Sequence, residues 1–141
     1  MSLRQDMQRE LDRYASLYDA GDAVGCANAY ALAGRIYSPF GPAAIGRDAV
    51  RATHLEWFET PETNKRLTIL GHGGSANAPW CLVAYSGEVL GPTGGPPNIE
   101  QGTSLTVWER DRAGDLKMLI TSLNADFGDA ESEVQTHAQN N

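Results

Sequence analysis

The sequence predicts an α+β domain in which helices come first and strands follow. Apolar residues recur at spacings of three and four up to about Glu59, then alternate from Lys65 onward, the periods of helix and strand. The chain has 141 residues, 41% of them hydrophobic, enough for one domain with one core.

Taken in order, Ser2 with Gln5 three positions later is a capping-box pattern. Leu3, Met7, Leu11, Tyr14, Leu17 and Tyr18 then form the apolar stripe of a helix of about five turns. Gly21 is a C-terminal breaker, and Asp22 can cap a second helix from Ala23 to about Ala31, closed by Gly34. Arg35 to Ser38 reads as a short strand, stopped by Pro39, which has no N–H for a ladder. Pro39 to Gly46 reads as a loop. Arg47 to Glu59 follows as a third helix, with Val50, His54, Trp57 and Phe58 on one face and Asp48 in the dipole-favoured first turn.

Thr60 to Asn64 reads as a loop, Lys65 to His72 as a strand, and Gly73-Gly74 as a turn. Pro79 to Leu90 is a longer strand with two apolar faces. One face holds Trp80, Leu82, Ala84, Ser86 and Glu88, the other Cys81, Val83, Tyr85, Gly87 and Val89, so either can be the inner one. After a Gly/Pro loop, Gly91 to Asn98, the strands Ile99 to Arg110 and Leu116 to Phe127 form a hairpin around Asp111–Asp115. The polar residues 128–141 read as a disordered tail, which leaves a domain at 1–127.

Composition excludes several function classes. A formal net charge of −7 with no basic run disfavours nucleic acid and anionic membranes. No leader-like apolar segment opens the chain and no run approaches the ~20 apolar residues of a span, so a soluble, cytoplasmic protein is expected. Cys26 and Cys81 sit in apolar surroundings and read as buried free thiols. The cysteines and histidines lack zinc-ligand spacing, and Gly91 to Gly95 is followed by no Lys-Ser/Thr. Neither a metal nor a cofactor is expected. Glu88 and Asp126 read as solvated carboxylates.

The stretch Arg13 to Gly41, RYASLYDAGDAVGCANAYALAGRIYSPFG, resembles the opening of the NTF2-like superfamily. The resemblance rests on Tyr14, the Gly21-Asp22 corner, Tyr30 and the Pro39-Phe40-Gly41 exit, and is strongest to the ketosteroid-isomerase and SnoaL-like polyketide-cyclase branches. Gly46-Arg47-Asp48-Ala49-Val50 is similar to a helix opening common in the superfamily. The likeness spans Met7 to Phe127. It implies a cone, a curved antiparallel sheet wrapped around the first helix with an apolar cavity inside. It also implies a homodimer paired through the sheets, for which Trp80, Tyr85 and Trp108 are candidates.

For function the resemblance implies a small apolar carbonyl-containing ligand and acid/base catalysis: isomerisation, cyclisation, dehydration or epoxide opening. Tyr14 stands where the isomerases carry a tyrosine that donates to the developing enolate oxygen. Ser38 stands where they carry the Asp base, and a serine hydroxyl cannot take a carbon-bound proton unless another base activates it. Thr103 falls at or near their second oxyanion-hole acid. His54, the side-chain type that titrates near neutrality, is the remaining acid/base candidate. The same alignment turns Leu119, Thr121, Leu123 and Ala125 inward; Leu119 and Leu123, with Trp57, Phe58 and Leu105, complete the expected lining. The departure at Ser38 keeps an alternative open: a non-catalytic ligand-binding or accessory protein.

Overall fold

The computed structural model describes residues 2–91 and 95–126. The tail expected at 128–141, Phe127 and the middle of the Gly/Pro loop lie outside the described residues. The elements are α1 (Leu3–Asp19), α2 (Ala23–Asn28), β1 (Tyr30–Ser38), β2 (Gly41–Ile45), α3 (Arg47–Trp57), β3 (Glu62–Ser75), β4 (Ala78–Val89), β5 (Asn98–Arg110) and β6 (Leu116–Asp126). The six strands form one sheet in the order β2-β1-β6-β5-β4-β3. Neighbouring strands are antiparallel except β1 and β6, which are parallel. The sheet is therefore mixed, where an antiparallel one was expected.

Helix α1 forms as its sequence dictates. The Ser2 hydroxyl accepts from the Gln5 N–H at 3.1 Å, and the Gln5 side-chain oxygen accepts from the Ser2 N–H at 3.0 Å. Both donors are otherwise without partners at a helix start. Met7, Leu11, Tyr14, Ala15 and Tyr18 are buried. Gly21 takes the left-handed conformation (φ 68°) that ends the helix, and Asp22 caps α2 through the Gly25 N–H at 2.8 Å.

Helix α2 is shorter than expected and β1 longer. The Ala29 carbonyl accepts from the Met118 N–H at 3.0 Å, and Tyr30 pairs with Met118, so the ladder of β6 claims the backbone from residue 29 onward. Alanine's helix preference is a few tenths of a kcal/mol per residue, about what one tertiary contact overrides. Residues 41–45, expected to be loop, pair as β2 with β1. Strand β3 starts at Glu62 rather than Lys65 and runs through Gly73 and Gly74. A Cβ at Gly73 would meet the Trp80 ring at 2.7 Å, so glycine there makes room for a cross-strand indole rather than a turn.

The helices cover one face of the sheet. On β4, Cys81, Val83 and Tyr85 face inward, while Trp80 (41% exposed) and Leu82 face out. On β5 the inward residues are Ser104, Thr106 and Trp108. Thr103 and Leu105 therefore point to the outer face, against the expectation that they line the cavity; strand residues one apart lie on opposite faces. On β6, Trp108 pairs with Met118 and Val107 with Ile120, which leaves Leu119 as a bulge. Beyond the bulge Thr121 and Leu123 point inward; Leu119, expected to do the same, is displaced by the extra residue. Cys26 and Cys81 are buried free thiols.

Candidate functional site

Three elements bring hydroxyls and one imidazole together under the sheet. Tyr14 comes from the buried stripe of α1, His54 from the inner face of α3, and Tyr30 from the start of β1. The His54 Nδ1 lies 2.8 Å from the Val50 carbonyl oxygen and its Nε2 lies 2.6 Å from the Tyr14 hydroxyl. The Tyr30 hydroxyl lies 2.9 Å from Thr121 Oγ1. Arg47 holds the start of β1 to α3 by donating to the Tyr30 carbonyl at 2.6 Å.

This cluster is buried. His54 is fully buried and ringed by Tyr14, Tyr18, Tyr30, Trp57 and Phe58. Burial lowers its pKa from 6.5 to about 4; the Val50 hydrogen bond opposes the shift and the Lys65 charge adds to it. Burial likewise raises the Tyr14 phenol well above its ordinary value. Burial also raises Tyr30, against side-chain hydrogen bonding with Thr121 and Tyr14. At neutral pH the cluster is uncharged.

Above it opens a two-part cavity. The inner part, about 50 Å³, has apolar walls of Leu11, Leu67, Val83, Met118 and Leu123, and its hydroxyls come from Tyr14, Tyr30, Ser104, Thr106 and Thr121. The outer part, about 220 Å³, is bounded by Phe40, Trp57, Tyr85 and Val89, with Glu56, Glu62, Lys65 and Glu100. Tyr18, Trp57, Lys65, Tyr85 and Leu123 border both parts, so the two adjoin. At the boundary the Lys65 ammonium lies 2.9 Å from Glu62, with side-chain exposures of only 11% and 7%. The same ammonium sits 4.2 Å from the Tyr18 ring centre and 5.5 Å from that of Tyr85, a cation–π arrangement. Desolvation beside the mouth and the neighbouring Glu62 raise the pKa of the exposed Glu100, against Lys65.

Of the residues expected at the site, Tyr14, Trp57 and Leu123 line the cavity. His54 stands behind Tyr14 and Phe58 packs edge-on against Tyr18 at 4.9 Å between ring centres; neither borders the space. Ser38 is at the β1–β2 turn, where its Oγ accepts from the Phe40 N–H at 3.2 Å. Thr103, Leu105 and Leu119 do not border the cavity. The sequence reading turned Thr121 inward without assigning it to the site, and missed Tyr30 at the floor and Glu62, Lys65, Tyr85 and Glu100 at the mouth. An acid–base pair three residues apart, Glu62 and Lys65, was the signal available for the mouth. Among the described residues no group of three or more His, Cys, Asp or Glu could hold a metal ion, and no helix is long and apolar enough to cross a membrane.

A helix-lined cone closed by a curved sheet, with its cavity opening between α3 and the ends of β3 to β5, is the NTF2-like fold, and solved structures agree. A ketosteroid isomerase-like protein from Erwinia carotovora atroseptica superposes with a TM-score of 0.74 at 18% identity, over 86% of this chain and 95% of that one. An NTF2-like protein with a cystatin-like fold from Novosphingobium aromaticivorans gives 0.74 at 17% identity, over 93% and 86%. ActVI-ORFA from Streptomyces coelicolor gives 0.76 at 14% identity, over 89% and 98%. At these identities the likeness is one of fold. No protein-family model and no curated protein matches the chain.

Proposed function

We propose that the protein binds a small, largely apolar, oxygen-bearing molecule in the cone and carries out cofactor-independent acid/base chemistry on it. The observation that carries this reading is the gradient along the cavity, from carboxylates and Lys65 at the mouth to neutral hydroxyls at an apolar-walled floor. Such a shape takes an apolar body and fixes it by a few polar groups. The fold shared with a ketosteroid isomerase-like protein favours an enolisable group in the ligand, met as ketone or as enol. The open reactions are isomerisation, cyclisation, dehydration and epoxide opening.

The roles differ from those of the isomerase pattern. Ser38 is engaged in a turn, and His54 is a weak base with its Nε2 already bonded. We assign proton transfer to the mouth, with Glu100 as base, since its raised pKa moves it toward the range where a carboxylate exchanges protons well. The test is deuterium exchange at C1 of 2-tetralone, followed by NMR, with Glu100→Gln as the comparison. Catalysed exchange that falls about 100-fold in the variant is expected. Binding without exchange selects the second reading, a non-catalytic binding protein, which the placement of Ser38 favours. Failure to bind apolar bicyclic ligands at all overturns both.

A homodimer through the outer sheet face belongs to the same proposal. Trp80, Leu82 and Leu105 all stand exposed there, an apolar surface of the kind that marks an interface. Tyr85 and Trp108, also expected at that interface, face inward and are buried.

A further inference from the structure

The protons of the floor cluster can be placed from its partners. A carbonyl oxygen only accepts, so the His54 Nδ1 facing Val50 O must carry a hydrogen. If the imidazole is neutral, Nε2 is then bare. The Tyr14 hydroxyl 2.6 Å away must donate to it. The imidazolium alternative would bury a positive charge among aromatic rings with no carboxylate in contact among the described residues. Tyr14 has one proton, and it is committed to His54. Tyr14 borders the cavity, and any hydrogen bond its oxygen makes there is made as an acceptor.

We propose that Tyr14 acts on the ligand as a hydrogen-bond acceptor, with His54 as the positioning residue that sets this polarity. The floor then selects a hydroxyl (an alcohol, phenol or enol) over a carbonyl. This rests on the cavity being a ligand site, as proposed above, and names the ligand chemistry its floor takes. It is the reverse of the donor role that the resemblance implies for Tyr14. The neighbouring Tyr30 and Thr121 hydroxyls are paired with each other at 2.9 Å.

The test uses three naphthalenes of similar shape: 2-naphthol, its methyl ether and 2-acetylnaphthalene, with binding measured by calorimetry. In the wild type the naphthol should bind roughly tenfold more tightly than the ether and the ketone, the worth of one well-made hydrogen bond. His54→Phe frees the Tyr14 proton, and the preference should invert toward the ketone; Tyr14→Phe should abolish it. Equal affinities in the wild type, or a ketone preference, overturn the proposal while leaving the cavity reading standing. Failure of all three probes to bind overturns that reading and this one with it. Nitrogen-15 NMR of the imidazole reads the tautomer without any variant: Nδ1 protonated and Nε2 bare is expected, and a proton on Nε2 refutes the proposal.

Discussion

Acid should destabilise this fold through His54 in a window that can be calculated. In the unfolded chain the imidazole takes a proton near 6.5, whereas in the fold it resists until about 4. Between those values the unfolded state binds more protons, so stability falls as pH falls. The contribution is fully present above 6.5 and is lost by about 4. At about 1.4 kcal/mol per factor of ten in proton affinity, the whole displacement amounts to roughly 3 kcal/mol, of which about 2 is lost by pH 5. The assay is urea unfolding at pH 7, 6 and 5 by tryptophan fluorescence, comparing the wild type with Tyr14→Phe/His54→Leu. The double change removes donor and acceptor together; His54→Leu alone would strand a buried hydroxyl, at about 1–3 kcal/mol. The double variant starts less stable, but its pH dependence should be flatter by about 2 kcal/mol between pH 7 and 5. Groups common to both proteins cancel in the difference. Parallel curves would refute a buried, neutral His54.

The mouth and the outer face make further predictions. Glu62→Gln leaves the largely buried Lys65 ammonium between two tyrosines without its contacting carboxylate, and should cost about 3 kcal/mol in urea unfolding. Glu62→Leu/Lys65→Met should recover most of it, whereas a loss below ~1 kcal/mol for the single change would mean that the pair behaves as an exposed one. A Cβ at Gly87 would overlap the Glu62 carboxyl, so Gly87→Ala should destabilise by about 1–3 kcal/mol, and by much less in a Glu62→Ala background. Additive losses would show that Gly87 and Glu62 are uncoupled. Trp80→Glu or Leu105→Lys should convert a dimer to a monomer in light scattering with little change in melting temperature. A monomeric wild type would remove that reading.

What the sequence disclosed depended on how local each determinant was. The stripe of α1 and its cap depend on residues within one turn of each other, and the structure reproduces both ends of that helix. The start of β1 depends on Met118, and the pairing of β2 on β1, contacts that no window of ten residues contains. Strand faces were lost to single-residue effects. The bulge at Leu119 moves the alternation of β6 by one position, and Thr103 and Leu105 were assigned to the cavity one residue out of register with Ser104 and Thr106. The inner face of β4 was undecidable because the outer face is apolar too, with Trp80 and Leu82 on it. Tyr14 and His54 were visible because each lies on a helical stripe. The mouth was not, because Glu62, Lys65 and Glu100 come from two strands, one of which begins in a stretch read as loop.

Charge is divided along the cavity in a way that bears on the missing Asp. His54, Tyr14 and Tyr30 at the floor are neutral: burial lowers the His54 pKa and raises those of Tyr14 and Tyr30. A proton delivered there would create an imidazolium at a point where proton affinity has fallen to about 4, so the floor is poorly suited to store it. It is well suited to orient an oxygen, since neutral hydroxyls in a buried site hold a ligand without a large desolvation cost. Proton exchange is better placed where Glu62 and Glu100 face Lys65 and solvent is near. On the proposed reading, acid/base capacity sits on β3 and β5 instead of at the end of β1, and Ser38 is free to serve the turn. A ligand anchored by its oxygen at the floor would then present its reacting carbon toward the mouth, so binding and proton transfer fall to residues that can be changed separately.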